Sequence, residues 1–244
     1  MDEDLLRVIE YTKDFYLKRL GLILVFSVPF ILASLLLILV SAPTYLALGG
    51  VFLRTGSLPE LSILDILFMA AAYGIALFII ADTIVNVNII VRSRRTLTSI
   101  KTEVLSALST YATRIFYIYT LMVLLLFIVQ LVTYDSPLQS IVYPVAAFAL
   151  SFLLFFVAPA VVIDNSDTPT AIRRSAAMAI KNPLMVVFWA IVGLLAISIV
   201  ELFGFLLPSP FSGYFILMVN SLFVLPFLII MQTQMYMEKY PLAR

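Results

Sequence analysis

Leu20-Gly21-Leu22-Ile23-Leu24-Val25-Phe26-Ser27-Val28-Pro29-Phe30-Ile31-Leu32-Ala33-Ser34-Leu35-Leu36-Leu37-Ile38-Leu39-Val40 contains no charged residue. A helix rises about 1.5 Å per residue, so about 20 apolar residues cross a hydrocarbon layer of about 30 Å. The run is continuously apolar rather than alternating, which excludes a strand of a membrane β-barrel. It is also too long for the apolar core of a secretory signal, and the segment before it is rich in Asp and Glu. It therefore reads as a retained membrane span.

Five more stretches pass the same test: 64–91, 115–133, 141–163, 184–207 and 214–235. Composition agrees, with 63% hydrophobic residues and only 12% charged. A soluble domain has about 45–50% apolar and about 25% charged residues, so a soluble enzyme, a disordered tail and a fibrous repeat are excluded. The formal net charge is +1, which is too little for nucleic-acid binding by bulk charge. The chain has neither Cys nor His. That removes disulfides, thiolate chemistry, an imidazole base and the commonest zinc ligands. The expected fold is a single all-α membrane bundle over 1–244, with six spans.

Fourteen of the fifteen Lys and Arg fall on one side of these spans. They are Arg7, Lys13, Lys18 and Arg19 before the first span, and Arg92, Arg94, Arg95, Lys101 and Arg114 between the second and third. Arg173, Arg174 and Lys181 follow the fourth span, and Lys239 and Arg244 the sixth. Only Arg54 lies opposite. The positive-inside rule places both termini in the cytoplasm, and the expected location is the cell membrane. The outer turns at 134–139 and 208–213 are short, and Gly49-Gly50 reads as a turn in the longer outer loop.

Amphipathic segments occupy the basic side. Residues 2–19 align Leu5, Ile9, Phe15 and Tyr16, with Glu3–Arg7 and Asp14–Lys18 as pairs four apart. Residues 96–112 align Leu97, Ile100, Val104, Leu105, Leu108 and Tyr111. Residues 169–182 gather Ala171, Ile172, Ala176 and Ala179, with Thr168 as the expected N-cap and Pro169 at the first helical position. Three interfacial helices would each precede an out-and-back pair of spans. Either the chain is a threefold parallel repeat, or any connector bounded by membrane becomes amphipathic.

Phe155-Phe156-Val157-Ala158-Pro159-Ala160-Val161-Val162-Ile163-Asp164-Asn165, then Ala171-Ile172-Arg173-Arg174-Ser175, then Ile180-Lys181-Asn182-Pro183 form the most specific text. This pattern resembles a family of uncharacterised six-helix membrane proteins, related to the membrane domain fused to some glycerophosphodiester phosphodiesterases. The resemblance implies an Asp-Asn turn at Asp164 and Asn165, an amphipathic helix carrying Ser175, and Asn182 before the next span. The phosphodiesterase chemistry belongs to a soluble domain that these residues do not contain. Read physically, Asp164 and Asn165 turn the chain at the inner interface and Ser175 permits close packing. Arg173 and Arg174 face phosphates or carboxylates.

Candidate sites are few. Asp164, Asn165 and Asp167 lack the spacing and glycine of a calcium loop, so no metal is expected. No Gly-x-Ser-x-Gly elbow, phosphate loop or His-Glu-x-x-His occurs, so neither catalysis nor a cofactor is expected. Asp82 lies about 15 Å from Arg92 along a straight helix, near mid-bilayer. Asn86 follows it one turn later, and Asn220, Gln232 and Gln234 of the last span are candidate partners. A carboxylate at that depth costs about 2.5–3.5 kcal/mol and should face the bundle interior. Glu201 is a further intramembrane acid at a different depth. Arg92, Arg94, Arg95, Arg173 and Arg174 are expected to contact lipid phosphates. Pro29, Pro144, Pro159 and Pro226 permit kinks. Ala70 with Gly74, and Ala190 with Gly193 and Ala196, read as close helix contacts. Tyr45, Tyr134, Tyr143, Tyr214, Tyr236 and Tyr240 read as interfacial belt residues.

Two functions fit. One is a non-catalytic, lipid-interacting or membrane-organising module whose partners are the bilayer and its anionic headgroups, with a homo-oligomer open. The other is a transporter or permease subunit served by a separate ATPase. The charge asymmetry yields a first prediction. A cysteine introduced at Ser136 should react with an impermeant thiol reagent from outside sealed cells, and one at Arg173 should not. Labelling of the Ser136 position from the cytoplasmic side alone would reverse the topology.

Overall fold

The computed structural model describes residues 3–55, 63–96, 108–133 and 136–239. It is all helical, with no strand among the described residues. In chain order the helices are α1 (Glu3–Lys18), α2 (Leu20–Thr55), α3 (Ile63–Thr96), α4 (Thr113–Val132) and α5 (Gln139–Leu153). They continue as α6 (Val157–Ile163), α7 (Thr168–Lys181), α8 (Pro183–Phe205), α9 (Phe211–Val219) and α10 (Leu225–Lys239). Short π-helical stretches, Leu108–Ala112 and Asn220–Val224, lead into α4 and join α9 to α10. Among the described residues six helical stretches are long and apolar enough to cross a membrane, so this is a multi-pass membrane protein.

The expected spans hold with revised edges. The first helix runs on from Val40 to Thr55, so Gly49 and Gly50 lie inside α2 and do not form a turn. Their helix cost of about 1 kcal/mol each is a local penalty that the flanking Leu and Ala of Tyr45–Leu48 can offset. The fourth span is two helices, α5 and α6, interrupted at 154–156. The interfacial segment expected at 96–112 lies largely outside the described residues. Its last residues, Leu108–Ala112, are a π-turn continuous with α4. Residue 167, not Thr168, occupies the N-cap of α7, with an extended backbone and no side-chain cap bond.

Packing is concentrated at the end of the bundle that carries Arg92, Arg114 and Arg174, here called the basic end. On α3, Ala81, Val85 and Val87 through Val91 are buried, whereas Ile63, Leu64, Leu67 and Phe68 are exposed. On α10, Leu228 through Met231 and Met235 through Met237 are buried. Between them lies the short helix α6, buried along its whole length. Helix α1 docks beside α10 through Val8, Thr12, Phe15 and Tyr16, a stripe at i, i+4, i+7 and i+8. The Tyr16 ring meets Phe227 edge-on at 5.6 Å, and its hydroxyl donates to the Phe223 carbonyl of the π-turn at 3.3 Å. Burial raises the Tyr16 phenol to about 12, so it stays a neutral donor at physiological pH. Asp14 and Lys18 pair at 3.0 Å on the exposed side.

The far half is looser. Side chains of α4, α5 and α8 such as Leu124, Phe127, Val145, Phe148, Leu194 and Leu202 are exposed, as lipid-facing residues are. Small residues act as expected at one of the two places named. A Cβ on Gly193 would approach Leu228 at 3.3 Å, while one on Gly74 would meet nothing within 4 Å. Gly74 is therefore not a close-contact residue. The tightest approach among the described glycines is at Gly204, which the sequence reading did not single out; a Cβ there would sit 2.5 Å from Ile216.

A broken span sealed by polar side chains at the basic end

Pro159 explains where the fourth span breaks. Its ring nitrogen has no hydrogen to give the carbonyl of Phe155 four residues earlier, and its ring crowds that carbonyl. Inside a membrane the freed groups must find protein partners. The Phe155 carbonyl accepts from Gln232 Nε2 of α10. The Leu153 carbonyl accepts from Ser175 Oγ of α7 at 2.7 Å, and Ser175 Oγ in turn accepts from the Phe156 amide at 2.9 Å. Ser175 is fully buried. Its role is to plug the break with two hydrogen bonds, which is more than the close packing expected of it. Around the plug, Phe155 packs on Phe156 at 4.7 Å and on Trp189 at 5.0 Å, both edge-on. Trp189 Nε1 donates to the Leu228 carbonyl at 2.7 Å, tying α8 to α10.

Below the break the chain turns at Asp164–Asp167. Asn165 adopts φ 50, in the left-handed region where Asn is among the better-tolerated side chains. Asp164 ends α6, and its Oδ2 accepts from Arg174 Nη1 at 2.8 Å and from the Tyr236 hydroxyl at 2.5 Å. Tyr236 is therefore no belt residue: it is fully buried and joins α10 to the turn. The exposed Tyr214 suits the interface; the side chains of Tyr45, Tyr134 and Tyr240 lie outside the described residues. Arg174 Nη1 also donates to Ser166 Oγ at 3.0 Å. From α4, Arg114 Nη1 donates to the Ser166 carbonyl at 3.0 Å and lies 3.4 Å from Asn165 Oδ1. From α3, Arg92 Nη1 donates to the Val162 carbonyl at 2.8 Å and to the Tyr111 hydroxyl at 3.0 Å. Asn182 ends α7, its Nδ2 donating to the Met178 carbonyl at 3.2 Å.

Of the arginines expected on lipid, Arg92 and Arg174 thus spend donors on the protein itself. Arg174 has the carboxylate partner foreseen as the alternative to phosphate. Arg173 is exposed, and the side chains of Arg94 and Arg95 lie outside the described residues. Arg114 was placed on the basic side but not singled out. Its signal was its position at the very start of a span, where a cation beside the apolar run needs an acceptor.

Within the membrane, Asp82 Oδ2 accepts from Asn86 Nδ2 at 3.0 Å, so this pair forms as its spacing suggests. The expected partners across the bundle are not those the structure supplies. Gln232 is engaged with Phe155, no bond to Gln234 is seen among the described residues, and Asn220 sits in the π-turn with its own Oδ1 buried and unbonded. Asp82 Oδ1 is likewise buried and bonded to nothing among the described residues. The bond between α3 and α10 is made instead by Asn88, whose Oδ1 accepts from Thr233 Oγ1 at 2.6 Å. Asn88 went unremarked because its two-residue offset from Asn86 puts it on another face of the helix. Glu201 is exposed near the far end of α8, apart from this group.

No cluster of three or more potential metal ligands occurs among the described residues. No family model, no curated protein and no solved structure matches the chain.

The seal at the break is directly testable. Ser175→Ala leaves the Leu153 carbonyl and the Phe156 amide unbonded in an apolar setting, at a cost of about 1–3 kcal/mol. Thermal unfolding in detergent, followed by the fluorescence of Trp189, should show that loss. The exposed Ser198→Ala should show none. Equal midpoints for the two variants would mean that Ser175 does not hold the break.

Proposed function

We propose that this chain is a non-catalytic, lipid-interacting module of the cell membrane, with its basic end and both termini in the cytoplasm. The observation that carries this reading is the convergence of Arg114 and Arg174 on Ser166. Each guanidinium has five N–H donors, and the turn engages only Nη1 of each. Among the described residues one carboxylate, that of Asp164, is bonded here, and it is bonded to Arg174 and not to Arg114. The Arg174 side chain is 41% exposed. Two cations beside one turn, of which Arg174 has a bonded carboxylate and Arg114 only neutral acceptors, suit a lipid phosphate, which guanidinium forks grip in bidentate fashion. Basic residues near an anionic surface contribute about 1 kcal/mol each. Exposed Arg173, one residue away, adds to the same surface. The likeness of 155–183 to the six-helix family accords with a membrane role without turnover.

The double substitution Arg114→Gln with Arg173→Gln separates this from a purely internal role. In vesicles containing phosphatidylglycerol the parent should unfold at a higher temperature than in phosphatidylcholine alone, and the variant should lose most of that difference. An unchanged difference would defeat the reading, whatever the variant's absolute stability.

A transport role remains the alternative, and Asp82 is the observation that favours it. One carboxylate oxygen buried and unbonded at mid-bilayer is costly to keep, and such residues mark ion and proton paths. A transport component of this kind would carry protons or cations past Asp82, with energy from a separate ATPase or a gradient. Asp82→Asn keeps the shape and the Asn86 bond while removing the titratable group. Liposomes holding a pH-sensitive dye should show proton entry under an imposed gradient with the parent and none with Asp82→Asn. Parent liposomes no leakier to protons than empty ones would end the reading of Asp82 as a gradient-driven proton path.

A further inference from the structure

Helix α7 runs along the basic end rather than through the bundle. It joins the end of the fourth span at Ile163 to the start of the fifth at Pro183, so both of its ends stand at one membrane boundary. Its 14 residues cover about 21 Å. Ala171, Ser175, Met178 and Ala179 face the bundle and are buried. The opposite face carries Arg173, Ala177, Ile180 and Lys181, all exposed. Ile180 is 63% exposed, and Leu184, just beyond the helix, is 68% exposed. A helix at the boundary that presents cations and open apolar side chains together is suited to the layer of headgroups and first acyl carbons, not to water alone.

On this face two cations bracket an apolar floor. Arg173 and Lys181 are a little over two turns apart, so about 12 Å separates them along the axis, with Ala177 and Ile180 between. Neither side chain makes a hydrogen bond or an ion pair among the described residues. The carboxylates of the adjoining turn do not serve them. Asp164 is bonded to Arg174 and Tyr236, and Asp167 stands at the N-cap, more than a turn from Arg173 and on another side of the helix. Long stems let both heads bend toward the floor between them. Two unlinked anions held there would each lose their freedom of motion on binding. Two phosphates joined in one molecule lose it once, and the second contact then forms at a high effective concentration. Acyl chains attached to those phosphates would also cover Ala177 and Ile180, a gain that a free phosphate lacks.

We infer that the outer face of α7 binds a diphosphatidyl lipid, in which one glycerol joins two phosphodiesters, with one phosphate on Arg173, the other on Lys181 and acyl chains over Ala177 and Ile180. The inference rests on the phosphate reading of the basic end and deepens it: it fixes the number of phosphates and adds Lys181, which that reading does not use.

The test uses the full chain in phosphatidylcholine vesicles that contain either phosphatidylglycerol or diphosphatidylglycerol at equal lipid phosphate. Unfolding is followed by Trp189 fluorescence, and the readout is the difference in midpoint between the two anionic lipids, so a uniform change in a variant's stability cancels. The parent should unfold about 4 °C higher with the diphosphatidyl lipid. Lys181→Gln should remove that difference, and Lys181→Arg, which keeps the cation, should preserve it. Lys13→Gln removes an equally exposed cation from α1 and should preserve it too. Inorganic pyrophosphate added to phosphatidylcholine vesicles should not raise the midpoint. Equal midpoints in the two anionic lipids, both above phosphatidylcholine, would overturn the paired-phosphate inference and leave the phosphate reading standing. No rise in either would end both. A difference that survives Lys181→Gln, or that Lys13→Gln removes as fully, would assign the effect to bulk charge and overturn the inference. A rise with pyrophosphate as large as with the lipid would make the occupant a free anion and overturn it as well.

Discussion

In a medium without water, the amide hydrogen that Pro159 lacks organises the whole basic end. A missing donor in a soluble helix is made good by solvent; here the Phe155 carbonyl has to be met by Gln232 of α10. Once the span is interrupted, the Leu153 carbonyl and Phe156 amide also need partners, and both find Ser175 of α7. That requirement brings α7 against α5 and α6 and sets Arg174 within reach of Asp164. Tyr236, one turn beyond Gln232 on α10, reaches the same carboxylate. One proline thus couples the fourth span, the following amphipathic helix and the last span into a single polar layer.

The opposite half has no such layer, and this accounts for its looseness. Apolar side chains gain nothing from one another that lipid tails do not also offer, so helices in a membrane are held by close packing of small residues and by hydrogen bonds. At Gly204 and Gly193 the first device is present. Between α2, α3 and α4 the buried Ala33, Ala72 and Ala76 pack, but among the described residues Gly74 touches nothing within 4 Å and Thr120 Oγ1 has no bond. Helices that are joined at the basic end can diverge from there without breaking any polar contact.

Much of this was legible in the residues, and the misses have a common cause. Span number and the polar character of the 155–183 stretch follow from hydropathy and from charges, which are properties of single segments. The helical state of Gly49 and Gly50 was missed because glycine pairs usually signal turns, while the surrounding Leu and Ala of α2 carry the helix through. Tyr236 was assigned to an interface because its distance from the end of the span fits a belt, and nothing local reveals that Asp164 lies opposite. Asn88, Arg114 and Thr120 were passed over for the same reason. The bonds of Asn88 and Arg114 depend on which helices become neighbours, and the lack of one at Thr120 appears only once its surroundings are known. Periodicity along one helix does not encode that.

Asp82 and Thr120 show how differently an unmet polar group can be held in one bundle. Asp82 has one oxygen tied to Asn86 and sits on α3 near the residues that pack against the basic-end core, so its strain is shared with a well-knit neighbourhood. Thr120 stands at the edge of that core, where Phe116 packs on Phe78 at 5.6 Å below it and a pocket between α2, α3 and α4 opens above. A hydroxyl without a partner in the interior of a tight core would favour replacement by valine, with no loss of packing. The boundary between the sealed half and the open half is thus where Thr120 Oγ1 lies buried with no bond among the described residues.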